Sequence, residues 1–146
     1  SGGRNLDALT YLLEIDYDPG VGTNFLSFDP IIIGSPDFAD HAIGNNSTAN
    51  GAGTSAANRT EYLNLIAGNN LAQNSWNMEF FDNVGAGFPF DGRTQGIYDI
   101  RLSAFDSSNT QLASVTIQID TVPAPATLAL LGLGLFGFAA RRREHA

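Results

Sequence analysis

The 146-residue sequence predicts an all-β protein, an antiparallel β-sandwich followed by a C-terminal hydrophobic helix. Three observations carry that expectation. Several short segments alternate apolar and polar side chains with the period of two that a half-buried strand requires. Clusters of Gly, Pro, Asn and Asp separate them, and no stretch before residue 120 offers the long amphipathic helices that parallel crossovers need. The end of the chain is a different physical object: residues 1–120 hold 14 acids and 4 arginines, whereas residues 121–146 hold 1 acid and 3 arginines.

The first strand is expected over residues 9–18. Leu9, Tyr11, Leu13, Ile15 and Tyr17 share one face, and Thr10, Leu12, Glu14, Asp16 and Asp18 the other. Pro19-Gly20 ends it as a turn. Phe25 to Phe28 and then Asp29-Pro30-Ile31-Ile32-Ile33 read as a second strand, interrupted by a proline that an edge or a bulge accommodates. The run from Gly44 to Asn58 has no apolar period and reads as an exposed, mobile loop. Its Asn45 and Asn46, with Asn58, match the N-x-Ser/Thr pattern, which simple composition also produces. Residues 60–68 read as a short helix capped by Thr60 and stopped by Gly68, with a strand as the alternative. Residues 74–81 alternate Trp76, Met78 and Phe80 against Asn77, Glu79 and Phe81, a strand with an aromatic inner face. The clearest signal is a hairpin over residues 96–120. Tyr98, Ile100, Leu102 and Ala104 share a face, and beyond Asp106-Ser107-Ser108-Asn109-Thr110 so do Ala113, Val115, Ile117 and Ile119.

Composition removes several function classes. A net charge of −8, without a single lysine, opposes phosphate tracking, so no nucleic-acid partner is expected. The absence of cysteine removes disulfides, thiolate nucleophiles and cysteine-ligated zinc. Gly85-Ala86-Gly87 runs into Phe88-Pro89-Phe90-Asp91-Gly92, which is turn chemistry and not a phosphate loop. A serine-histidine-carboxylate set would rest on His41 with Asp37 or Asp40, and no Gly-x-Ser-x-Gly elbow accompanies them, so His41 is expected in a solvated loop. No local pattern singles out a carboxylate pair for glycoside hydrolysis. Asp16 and Asp18 before Gly20 have the spacing that opens a calcium loop, but Ser27 stands where that loop needs a bidentate acid; calcium at Asp16 and Asp18 is the one metal expectation, and no other cofactor is expected. Phe88, Phe90 and Tyr98 are assigned to the core before a sugar-binding surface.

The chain begins at Ser1 with no initiator methionine and no basic-then-apolar leader, so the native N-terminus is expected to have been removed, which leaves room for a lost export signal. After residue 120 come Val122-Pro123-Ala124-Pro125, then an uncharged run over residues 126–140, then Arg141-Arg142-Arg143 within the basic tail of residues 141–146. As a helix the uncharged run spans about 22 Å, at ~1.5 Å per residue, against a hydrocarbon core of about 30 Å. Leu128, Leu130, Leu131, Leu133, Leu135, Phe136 and Phe138 supply the apolar surface, and Gly132, Gly134 and Gly137 allow a second helix to approach closely. A core helix would show a polar face, and this segment has none. Arginines directly beside an apolar segment favour the cytoplasmic side, which puts residues 1–120 outside the cytoplasm.

This conjunction of proline motif (Val122 to Pro125), Leu/Gly-rich span and arginine cluster resembles the PEP-CTERM sorting signal. The same C-terminal element also carries the label of an ice-binding-protein C-terminal domain, which is not evidence of ice binding. The resemblance implies export by a Gram-negative bacterium, an inner-membrane-anchored form, and recognition by a membrane-embedded exosortase that cleaves near the proline motif and releases the protein to the cell surface or extracellular polymer. Ala124 stands where that signal usually has Glu. If the sorting enzyme reads that carboxylate, processing is weak and an anchored form persists. Residues 96–106 with Gln111-Leu112-Ala113-Ser114 are more loosely similar to the small secreted domains that precede such signals.

The functional expectation is a noncatalytic exported protein placed at the surface or in the matrix, with the membrane and an exosortase-type enzyme as partners. Its alternatives are a carbohydrate- or calcium-dependent binding module that meets extracellular polysaccharide, and a fibre-forming subunit that self-associates through an uncovered strand edge.

Overall fold

The computed structural model describes residues 3–32, 41–75, 90 and 94–122. Their strands are β1 (Thr10–Asp16), β2 (Phe25–Phe28), β3 (Ala42–Gly44), β4 (Leu71–Gln73), β5 (Gly96–Phe105) and β6 (Gln111–Thr121), and one helix, α1, covers Arg59–Gly68. A four-stranded sheet runs in the order β2-β1-β5-β6, and β3 and β4 form a separate ribbon; every pairing is antiparallel. The described fold is therefore mostly antiparallel β-structure with one short helix.

The register shows why the alternation matters. Leu13 pairs with Phe28 on one side and Leu102 on the other, and Ile15 with Leu26 and Ile100. Leu102 in turn pairs with Val115, and Ile100 with Ile117. One face of the sheet is thus apolar across all four strands, because residues opposite each other in a ladder share a face. The other face carries Glu14, Asp99, Arg101 and Gln118. Glu14 and Arg101 are ladder partners there, joined by two contacts of 2.6 and 2.8 Å. Arg101 also lies 5.2 Å over the Phe25 ring. The paired guanidinium holds the Glu14 carboxyl below its ordinary 4.5, against a smaller upward push from burial.

Turn chemistry fixes both hairpins. Between β5 and β6, Asp106 Oδ1 accepts from Ser108 N at 2.9 Å and Thr110 N at 3.0 Å, and Asn109 takes the left-handed conformation at φ 60°. The Thr110 and Ser108 amides lower the Asp106 carboxyl. Between β1 and β2, Asp16 Oδ1 accepts from Asp18 N at 3.0 Å and Asn24 N at 2.8 Å.

The core sits where α1, β3 and the short turn at Leu6–Ala8 converge. Leu6, Ile31, Ile43, Tyr62 and Ile66 are buried together, and Tyr11 of β1 packs against them. Tyr62 donates its hydroxyl to the Ile31 carbonyl at 2.7 Å. Helix α1 begins at Asn58, whose side chain accepts from Glu61 N at 3.0 Å, while Glu61 reaches back to Ala57 N at 2.8 Å.

Several expectations change. The cap of α1 is Asn58 and not Thr60, since an N-cap must precede the first helical turn. The second strand stops at Phe28; Asp29 Oδ1 then accepts from Ile31 N and Ile32 N, and this bend carries Ile31 into the core. His41 is 2% exposed, its ring tilted 5.7 Å from Tyr62, and is no solvated loop residue. Asp16, assigned to the polar face, is 1% exposed because its carboxylate turns inward to collect amides. Val115 and Ile117, expected to share a face with Ala113 and Ile119, are 58% and 57% exposed. The loop after β3 is exposed but tied: Gln73 Nε2 donates to the Ala49 and Ala52 carbonyls, and Thr54 bridges Ile43. Gly53 there has φ +134°, where a Cβ would meet the Ala42 backbone at 3.0 Å. The strand expected over residues 74–81 lies outside the described residues from Trp76 onward, and Asn74 and Ser75 are not in a strand.

Candidate functional site

The site begins where the sheet delivers the chain to its tail. Thr121, the last residue of β6, is opposite Gly96. Its Oγ1 donates to the Thr94 carbonyl at 2.6 Å and accepts from Gly96 N at 2.9 Å. Strand β6 is thus pinned at its exit by a side chain as well as by its ladder. Gly96 is required by close approach: a Cβ there would stand 2.7 Å from Pro19 Cβ and 2.9 Å from Pro19 Cα. Val122 follows at 73% exposure.

Beside this exit lies an open cleft of about 530 Å³, lined by Asp16, Gly20, Gly96, Asp99, Gln118 and Asp120 among others. Gln118 Nε2 donates to Asp99 Oδ1 at 3.0 Å. Asp16 and Asp18, the two candidate calcium ligands, are engaged in backbone turns: Asp18 Oδ1 accepts from Gly20 N at 2.8 Å, as Asp16 Oδ1 does from Asp18 and Asn24. Among the described residues no three His, Asp or Glu side chains come together as a metal-ligand group. A second cavity of about 390 Å³ separates the sheet from the β3-β4 ribbon. Tyr11, Leu13 and Leu102 line it from one side and Ile31, His41 and Leu71 from the other. Asn70 also borders it, and its Oδ1 is buried without a hydrogen-bond partner.

The candidate catalytic set is not assembled by anything described. His41 is packed against Tyr62, and Asp37 and Asp40 lie outside the described residues. Tyr98, 1% exposed with the Phe90 ring edge-on at 5.1 Å, is a core residue; Phe88 lies outside the described residues. Among the described residues no helix is long and apolar enough to cross a membrane. The expected hydrophobic helix, with Val122 to Pro125 before it and Arg141 to Arg143 after it, falls beyond them from Pro123 onward.

Residues 121–143 match the family model described as the PEP-CTERM protein-sorting motif. The chain carries a PEP-CTERM sorting motif. The match starts at Thr121, the residue that β6 pins to Gly96, and ends on Arg143, the third arginine of the cluster. The PEP-CTERM motif implies export, membrane-associated processing and an exosortase-type sorting enzyme as partner. It covers the tail and not the folded body upstream, and neither the curated proteins nor the solved structures compared gave a match to the chain.

Proposed function

We propose that this chain is an exported, noncatalytic cargo whose folded body is placed at the cell surface or in the extracellular matrix by its PEP-CTERM tail. One observation carries the reading: the motif match ends on three arginines that directly follow an uncharged run, the charge pattern that leaves a tail inside and the body outside. Residues 126–140 insert as a short membrane helix, Arg141, Arg142 and Arg143 hold its cytoplasmic end, and Val122 to Pro125 present the segment that the sorting enzyme reads. The body is read as a sandwich-type domain, supported by an apolar sheet face that meets the β3 and α1 layer at Tyr11. Its contribution is structural or adhesive.

The test is fractionation of the precursor in an exosortase-bearing host, comparing the parent with variants lacking the three arginines or the Pro-Ala-Pro sequence. The parent is expected to pass through the inner membrane to the surface fraction, and the variants to accumulate unprocessed. Variants that distribute like the parent would sink the reading. Ala124→Glu is expected to speed processing if the enzyme reads a carboxylate there.

The acidic cleft beside Asp99 and Asp120 favours a second reading, a carbohydrate- or calcium-dependent binding module. Polysaccharide pull-down, and the thermal unfolding midpoint followed during calcium titration, separate it from a purely structural role.

A further inference from the structure

Strand β6 closes one side of the four-stranded sheet, and among the described residues nothing pairs with its outer edge. Every residue from Gln111 to Gln118 is exposed. Sheet edges are ordinarily blunted by shortness, proline, lysine or an inward charge, since an open ladder invites another strand. β6 has 11 residues, neither proline nor lysine, and one charge, Asp120, next to its end. On its apolar face Val115 and Ile117 stand 58% and 57% exposed, beside Leu102 of β5 at 38%. The strand is long, nearly uncharged and wet on an apolar face.

We infer that β6 is a self-association edge, which pairs antiparallel with β6 of a second copy about a twofold axis at Thr116. Thr116 is the midpoint of the 11-residue strand, so this register pairs its whole length. In that register Val115 meets Ile117 of the second copy and Ala113 meets Ile119, so the apolar faces continue into each other. Ser114 meets Gln118, and Thr116 meets its own equivalent, on the polar face. The two Asp120 carboxylates fall at opposite ends of the joint, each across from Leu112, about 27 Å apart at ~3.4 Å per residue. An in-register parallel pair would set Asp120 directly against Asp120, which is unfavourable. The other edge of the sheet, β2, has only 4 residues and runs into Asp29-Pro30. A head-to-tail joint between β6 and β2 is therefore short, and the favoured assembly is a closed dimer and not a filament. This inference is independent of the sorting reading, because it uses only the folded body.

The experiment uses the full chain in mild detergent, at tens of micromolar, by size exclusion with light scattering. The chain has no cysteine, so Thr116→Cys introduces a single thiol at the proposed axis. Oxidation is expected to give a disulfide dimer with Thr116→Cys and none with Ser108→Cys in the exposed β5–β6 turn. Val115→Lys and Ile117→Lys are expected to weaken self-association by about tenfold or more, with an unchanged far-ultraviolet spectrum. A monomeric parent, open filaments, or a dimer that survives both lysine variants would each overturn the inference. Were the lysine variants to unfold, crosslinking at Thr116 decides: efficient crosslinking supports the axis, and its failure refutes it.

Discussion

Replacing Tyr62 by phenylalanine removes one oxygen atom from the centre of the core and tests how the segment after β2 is held. Tyr62 is 0% exposed, and its hydroxyl donates to the Ile31 carbonyl at 2.7 Å. Ile31 lies in no strand. Its amide is taken by Asp29 and its carbonyl by Tyr62, so this bend relies on side chains for hydrogen bonds that a ladder would otherwise supply. Tyr62→Phe keeps the ring and nearly all of the volume, so the cost is that of a buried carbonyl left without its donor, about 1 to 3 kcal/mol. For a body of this size that lowers Tm by about 4 to 12 °C. Ile66→Ala, at a site 1% exposed, is expected to cost about 2 to 5 kcal/mol through lost burial and a residual cavity. Urea unfolding followed by far-ultraviolet circular dichroism measures both, and hydrogen exchange at the Ile31 and Ile32 amides localises the first. A Tyr62→Phe midpoint equal to that of the parent, with unchanged exchange at those amides, would refute the argument that this bond holds the bend.

The remaining predictions concern turns, the helix end and acid. Asn58→Ala removes the side chain that caps α1 and is expected to cost about 1 kcal/mol by chemical unfolding, with little loss for Asn58→Asp. Asp16→Ala leaves the amides of Asp18 and Asn24 without their shared acceptor; a loss of about 1 to 3 kcal/mol is expected, together with faster amide exchange in the β1–β2 loop. The Glu14 carboxyl lies below its ordinary 4.5 in the folded chain, so its stabilising contribution is complete above that value and disappears as pH falls through the lowered folded value. The urea midpoint should decline through that acid window, and Glu14→Gln should flatten part of the decline.

What could be read from residues alone follows from what each signal encodes. The β5–β6 hairpin was legible because its period of two persists over ten residues in one strand and eleven in the other, with a turn cluster between them. Strands β3 and β4 have three residues each, too few for any period, and only the fold that brings residues 42–44 against 71–73 makes them a ladder. Asn58 was readable in principle, since Asn58 and Glu61 have the spacing of a cap and its returning carboxylate. Asp16 was not: alternation assigns a face, but only the loop that folds back through Asn24 turns that face into an enclosed pocket of amides. Val115 and Ile117 show the same limit from the other side. Their alternation states which residues share a face, and whether a second layer covers that face is a property of the whole chain.

The tail was legible for a different reason, since its signal is composition in a fixed order and needs no tertiary partner. Its junction with the body constrains both proposals. Four residues, Val122, Pro123, Ala124 and Pro125, separate the end of β6 from the uncharged run, a reach of at most about 14 Å when fully extended. Two of them are prolines, which stiffen the link. On the sorting reading proposed above, a body with 14 acids and 4 arginines over residues 1–120 is held close to the bilayer for as long as the tail is inserted. Antiparallel pairing of two β6 strands sends the two tails out at opposite ends of the joint. Both reach one bilayer only when the paired strands lie along its plane, and an upright strand leaves one tail stranded in water. Release of the tail removes that restriction, so self-association through β6 is geometrically freer in the processed protein than in its anchored precursor.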